Sequence, residues 1–189
     1  DVALEAGLDN VCVGVQTGSE EMAARYYNRN IPNSTLRAYC KLLFDHDVSA
    51  SIQMIGGNCY ETEEYFQQTL DFIKTLPFTL EDTRLCRLIN YRLVIFPQAP
   101  IATLSPRVVT HPMPAKEWFY RGCLMELRRI ADDAEFAALR EESEFKKNPS
   151  RLMVEYENML FATRRKHYEE LARSLKNERV FFYGNGSAY

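Results

Sequence analysis

Two glycine-containing turns carry the residues whose types and spacing best suit ligand binding. The first, residues 14–21, follows the apolar run 11–13, and the second, residues 56–64, follows the apolar run 52–55. Strand-to-helix turns of this kind lie where barrels and open α/β sheets bind their ligands. The second turn offers backbone groups on two adjacent glycines, whereas the first also offers polar side chains. These are Gln16, Thr17 and Ser19. The two turns therefore predict one cofactor site shared by successive strand–helix units.

Other kinds of catalytic site have little support in the sequence. There is no phosphate-binding lysine loop, no nucleophile elbow and no close pairing of a histidine with a carboxylate. The roles of His46, His111 and His167 stay open, and a packed position on a helix is the favoured interpretation of His167. No two of the five cysteines fall within metal-ligand spacing, and their odd number argues against a complete disulfide framework. They are Cys12, Cys40, Cys59, Cys86 and Cys123. Reduced thiols favour a cytoplasmic protein.

An alternation of strands and helices must position the two turns. Apolar runs predict strands at residues 11–15, 48–55 and 88–96. Periodic apolar residues predict helices at residues 19–29, from 33 or 34 to about 45, and at 62–76. Thr17 and Glu20 have the spacing of a capping box at the first of these helices. The alternation predicts a parallel sheet covered by helices, with the strands adjacent in chain order and the turns at one common end.

The pattern changes at Pro97. Residues 97–114 contain five prolines, which predict an irregular segment that crosses a surface. Helices are then predicted at residues 116–142 and 150–175, and a strand with a weak Gly-x-Gly turn at 179–189. Residues 1–7 resemble the end of a helix closed by a glycine cap, so we expect the chain to be part of a longer protein.

Composition and charge narrow the classes of partner. The chain has 189 residues, of which 46 % are hydrophobic and 26 % charged, as expected for a globular protein of one domain or slightly more. Its net charge of −3 gives no support for a nucleic-acid-binding surface. No apolar run approaches the roughly 20 residues that cross a bilayer, so no membrane partner is expected.

Four sequence motifs, in this order, resemble the second half of a radical S-adenosylmethionine (SAM) enzyme. They are residues 14–22 (GVQTGSEEM), 27–30 (YNRN), 55–64 (IGGNCYETEE) and 95–100 (IFPQAP). Their order and spacing are similar to the branch that includes cobalamin-dependent methyltransferases and methylthiotransferases. Two positions depart from the family pattern. Cys59-Tyr60 stand where many members have Pro-Gly, and Gln98-Ala99 replace the usual Gly-Thr.

The resemblance implies an α/β fold, the second half of a partial (β/α)6 TIM-like barrel, over residues 1–100. A mostly helical extension would occupy residues 101–178, and residues 179–189 would begin a further unit. SAM would be cleaved reductively at a 4Fe–4S cluster to a 5′-deoxyadenosyl radical, with flavodoxin or ferredoxin as electron donor. Whether the enzyme is a methyltransferase that also uses cobalamin stays open. So does the substrate, for which the acidic charge favours a small molecule or a peptide over RNA.

The resemblance assigns SAM-binding roles to residues in the first two motifs. Gln16, Thr17 and Ser19 would face the ribose or the methionyl group. Arg29 is a candidate partner for the methionyl carboxylate, with a surface ion pair as an equally weighted alternative. These roles would gather one part of the SAM site around the first turn.

The later motifs would form the adenine pocket. Ile55, Gly56 and Gly57 would lie along the adenine, and Phe96 with Pro97 would finish its pocket. A tight turn without any ligand is the alternative for the two glycines.

The cluster-binding motif of the family, Cys-x-x-x-Cys-x-x-Cys, does not occur in the sequence. We therefore expect the cluster cysteines upstream of Asp1, and we expect the 189-residue chain to assemble no stoichiometric cluster alone. An alternative is a non-catalytic barrel remnant whose helical extension binds another protein. Three cysteines at cluster spacing upstream of Asp1 would favour the enzyme.

Overall fold

A computed structural model describes residues 2–77, 86–96, 98–104 and 111–174. The strands are β1 (Asn10–Gln16), β2 (Ser49–Gly56) and β3 (Cys86–Arg92). The helices of the first half are α1 (Val2–Glu5), α2 (Glu20–Tyr27), α3 (Asn33–Asp45) and α4 (Glu63–Lys74). Those of the second half are α5 (Pro100–Leu104), α6 (Ala115–Arg128), α7 (Asp133–Glu141), α8 (Ser143–Lys147) and α9 (Pro149–Ser174). The chain is therefore an α/β protein.

The three strands form one parallel sheet in the order β1–β2–β3. This confirms the predicted strand direction and order. The third strand is shorter than the predicted 88–96, because its pairing partner β2 ends at Gly56, which stands opposite Arg92. One more backbone bond follows, from Leu93 N to the Gly56 carbonyl at 2.8 Å. Beyond it the chain leaves the sheet, and Phe96 is 70 % exposed.

The two faces of the sheet differ in burial. Residues of β2 alternate between buried and half-buried positions along the whole strand. The buried set (Ala50, Ile52 and Met54) belongs to the hydrophobic core, which also takes residues from α3, α4 and α6. On the other face Cys12 and Tyr91 are exposed and Gln53 is half-buried. We call this second face the open face. One face of the sheet thus carries the core, while the other carries polar groups.

The helix α2 is capped differently from the sequence prediction. Ser19 is its N-cap, and the Ser19 hydroxyl accepts a bond from Met22 N at 3.3 Å. The predicted Thr17–Glu20 capping box is wrong because the Thr17 hydroxyl is used elsewhere, accepting from Ser19 N and bonding to Thr69. At α4 the Thr62 hydroxyl caps the helix by accepting from Tyr65 N at 3.2 Å, at the residue where the sequence predicts the helix to begin. Local capping therefore fixes where each turn ends.

The predicted single helix 116–142 is divided into α6 and α7. Asp132 forms a full capping box with Glu135, so a new helix begins at Asp133. The last described helix, α9, agrees with the prediction for residues 150–175. The side chain of His167 and the predicted unit at residues 179–189 lie outside the described residues. None of the helices described is both long and apolar enough to cross a bilayer.

Candidate functional site

The two glycine turns lie side by side at the carboxyl end of the sheet. β1 and β2 pair in parallel, and the pairing shifts by one residue so that Gln16 stands opposite Met54. The backbone of Gln16 is left-handed, with φ 65°, and that of Gly57 has φ 91°. A left-handed conformation suits glycine and is uncommon for glutamine. The backbone therefore turns sharply at both positions, at the end of the sheet where the parallel strands expose their carboxyl ends.

Gln16 and Arg29 come together on the open face, above Gly14. A Cβ atom built on Gly14 would lie 2.7 Å from Gln16 Nε2 and 3.4 Å from Arg29 Nη1. Because the neighbours of Gly14 in β1, Val13 and Val15, point into the core, a Gly14 side chain would point to the open face. Arg29 Nη1 donates to Gln16 Oε1. The structure thus unites two of the predicted site residues on the more open side of the sheet.

The charge of Arg29 is not matched by a carboxylate among the described residues. Its hydrogen-bond acceptor is the neutral amide oxygen of Gln16, and its Nε is buried without a hydrogen-bond partner. A buried donor without a partner is costly, so such groups are usually satisfied by a ligand, a water molecule or a rearrangement. Arg29 is therefore suited to bind an anionic group.

Thr17 and Ser19 point into the protein. Both are buried, and the Thr17 hydroxyl lies 3.0 Å from that of Thr69 on α4. Thr69 also accepts from Gly18 N at 3.0 Å. A Cβ atom on Gly18 would lie only 2.6 Å from Thr69 Cα, so this glycine lets the first turn approach α4. Both hydroxyls have partners within the protein, and their predicted contact with SAM stays a prediction.

Hydrogen bonds from polar side chains stabilise the second turn. Tyr27 donates to the Ile55 carbonyl at 3.4 Å and accepts from Asn58 Nδ2 at 3.4 Å. Asn58 is fully buried, and its Oδ1 accepts from Tyr60 N at 3.0 Å. Burial also raises the pKa of Tyr27, which therefore stays a neutral hydrogen-bonding group. Ile55 itself is half-buried on the open face.

The glycine pair is covered by a residue that sequence analysis did not identify. A Cβ atom on Gly56 would lie 2.8 Å from Asn90 Oδ1 and 2.9 Å from Trp118 Cδ1. Asn90 Oδ1 and Trp118 Nε1 are both buried without a hydrogen-bond partner. Of the predicted adenine-pocket residues, Phe96 is exposed and Pro97 lies outside the described residues. Trp118 is the only tryptophan of the chain, which is the one signal that could have drawn attention to it.

A buried ion pair lies behind the second turn. Arg121 Nη1 on α6 is 3.2 Å from Glu61 Oε2, and the two side chains are 12 % and 6 % exposed. Burial raises the pKa of Glu61 to about 7, and the charge of Arg121 opposes that rise. Because the desolvation of the Glu61 carboxylate outweighs its attraction to Arg121, Glu61 titrates near neutral pH. Neither residue could be singled out from the sequence, since their contact joins positions 60 apart in the chain.

Two cavities adjoin these groups. A cavity of about 10 Å³ lies between the two turns and α6 and is bordered by Gln16, Gly56, Glu61 and Arg121. That is about the room one water molecule needs. A larger groove of about 650 Å³ lies between α4, α6 and α7. Its arginines pair with carboxylates, as in the contact of Arg128 with Asp133 at 2.8 Å. Arg128 Nε is buried without a hydrogen-bond partner, as Arg29 Nε is, but the Arg128 guanidinium has a carboxylate partner.

The described residues contain no group of three or more His, Cys, Asp or Glu side chains that could hold a metal ion. They therefore do not fit the 4Fe–4S cluster. Comparison with known proteins adds no assignment, because no protein-family model and no curated protein matches the chain.

Proposed function

We propose that this chain is the SAM-binding portion of a radical SAM enzyme built on the second half of a partial (β/α)6 barrel. The observation that carries the proposal is Arg29, a cation without a carboxylate partner among the described residues, located above Gly14 and beside Gln16. The parallel order of the strands and the two adjacent turns support the same interpretation.

The residues on the open face fit the polar end of SAM. The Arg29 guanidinium would pair with the methionyl carboxylate, because guanidinium and carboxylate groups form the strongest kind of hydrogen bond available to side chains. The Gln16 amide would bind the ribose or the amino-acid group once Arg29 turns to the ligand. In the second turn, the backbone of Ile55, Gly56 and Gly57 would lie along the adenine. These contacts would bind and orient the ligand.

The cluster would supply the reductive cleavage of SAM, and its cysteines would lie upstream of Asp1. An electron donor such as flavodoxin or ferredoxin belongs to this proposal, as does a cytoplasmic location. A methyltransferase that also uses cobalamin is one type of enzyme that this proposal includes. The substrate is proposed to be a small molecule or a peptide, in line with the net charge of −3.

The test is SAM binding to the full reading frame, purified without oxygen and measured by calorimetry. Arg29→Gln should weaken binding by about tenfold or more, the effect of losing a charge-assisted hydrogen bond of roughly 1.5–3 kcal/mol. Arg25→Gln is the matched control, since Arg25 is exposed on α2 and its guanidinium lies over Tyr26, 5.4 Å from the ring centre.

A second ligand isolates the carboxylate contact. Decarboxylated SAM should bind wild type and Arg29→Gln with similar affinity, because the group that Arg29 would pair with is missing. If the wild-type protein binds no SAM, or if Arg29→Gln binds SAM as tightly as wild type does, the proposal is wrong.

A further inference from the structure

Arg121 connects helix α6 to the second glycine turn through a guanidinium whose three nitrogens each contact a carboxylate. Besides Glu61, its Nη2 lies 3.4 Å from a carboxylate oxygen of Glu63, and its Nε lies 2.8 Å from one of Glu117. Its guanidinium carbon lies 4.6 Å from the centre of the Phe66 ring. Three carboxylates and one aromatic ring therefore hold this side chain in a single position.

Glu61 is an integral part of the second turn. Its backbone N donates to the Asn58 carbonyl at 3.0 Å, in the same turn that begins at Gly57. Glu61 also borders the small cavity that Gln16 and Gly56 border. A shift of Glu61 would therefore displace both the glycine pair and the wall of the small cavity that Gln16 borders.

We propose that Arg121 is a positioning residue, which through Glu61 holds the turn from Gly56 to Glu61 in the shape that the ligand meets. The identity of that ligand rests on the proposed function, whereas the hold of Arg121 on the turn does not. Arg121 itself lies behind the turn, on the core side, and acts through Glu61. It differs in this from Arg29, which lies on the open face.

The charges around Glu61 make this hold dependent on pH. When Glu61 loses its proton, its attraction to Arg121 is strongest, and when Glu61 is protonated the attraction weakens. Removing Arg121 should raise the pKa of Glu61 further, by roughly one pH unit or more. The charged and titratable groups that face Glu61 are Arg121 and Glu117 from α6, Glu63 from α4 and Tyr27 from α2. β1 and β3 contribute the uncharged Gln16 and Asn90.

The first experiment follows the backbone amide signals of Gly56 and Gly57 by NMR against pH, in the 189-residue chain. Wild type should show a step with a midpoint near 7, and Arg121→Gln should move that midpoint up by about one pH unit or more. Glu61→Gln should remove the step. Arg128→Gln is the matched control and should leave the midpoint unchanged, because Arg128 is a similarly buried arginine of α6 that pairs with Asp133.

An unchanged midpoint in Arg121→Gln, or a step that persists in Glu61→Gln, would overturn the proposal. Glu61→Gln decides the matter alone if Arg121→Gln does not fold, since the amide of glutamine keeps the shape of the carboxyl group. A purely structural role for Arg121 would lower stability without moving the midpoint at the glycines.

The second experiment measures SAM binding to the full reading frame near pH 7. Arg121→Gln should bind SAM about tenfold more weakly, the usual scale for losing a group that orients a binding residue. Arg121→Lys should be intermediate, because lysine keeps the charge but lacks the planar fork, and Arg128→Gln, whose partner is Asp133, should bind as wild type does. If wild type binds no SAM, the proposed function fails while the NMR titration still decides on Arg121. If wild type and Arg121→Gln bind equally tightly, the positioning role is wrong.

Discussion

Substituting Glu61 by glutamine should change how the stability of the protein depends on pH. Burial raises the pKa of Glu61 from 4.5 to about 7 in the folded protein. The group therefore contributes its full stabilisation below about pH 4.5, and this contribution is lost as pH rises through about 7. At about 1.4 kcal/mol per pH unit, the loss is about 3 kcal/mol. Glu61→Gln cannot ionise and should escape it.

The assay is urea unfolding of wild type and variant between about pH 4 and pH 8. The free energy of unfolding of Glu61→Gln, minus that of wild type, should increase by about 3 kcal/mol over this range. Glu64→Gln serves as a control, because Glu64 is exposed on the same segment, and its difference from wild type should stay nearly constant. A difference for Glu61→Gln that does not change with pH, or that decreases as pH rises, would refute the reasoning.

Four further substitutions test the turns and the helix boundary. Gly18→Ala should destabilise the fold by about 1–3 kcal/mol in urea unfolding, because its Cβ would meet the backbone of Thr69 at 2.6 Å. Asp132→Ala removes the capping box that starts α7 and should cost about 1 kcal/mol, with a loss of helical circular dichroism. Gly57→Val should abolish SAM binding to the full reading frame in calorimetry, since its φ of 91° disfavours valine. Gln16→Ala should weaken that binding by only about 1 kcal/mol, the value of one hydrogen bond.

The sheet could be predicted because its signals are local. Apolar runs and glycine turns mark where β1 and β2 begin and end, and the intervening helices leave only a parallel arrangement. The length of β3 could not be predicted in this way. Its end is set by Gly56 on the neighbouring strand, and residues 93–96 carry no sequence signal of their own that would stop a strand.

The contacts within the site depend on residues that are far apart in the chain. The sequence shows the hydroxyl groups of Thr17 and Ser19 but not the partners of these groups within the protein. The partner of Thr17 is Thr69, which is 52 residues away. The break between α6 and α7 had a local signal in Asp132 and Glu135, but the apolar periodicity that continued across it favoured one long helix.

Arg29 is proposed to bind the ligand and Arg121 to position the second turn, and the dependence of SAM affinity on salt concentration can distinguish these two roles. Arg29 is half-buried on the open face beside a neutral amide, so its attraction to an anionic ligand should weaken as salt screens it. Arg121 is largely enclosed by protein, where screening is much smaller. SAM affinity in wild type should therefore fall with added salt, and Arg29→Gln should remove most of that dependence while Arg121→Gln keeps it. An equal salt dependence in both variants would mean that the two arginines do not have the separate roles assigned to them.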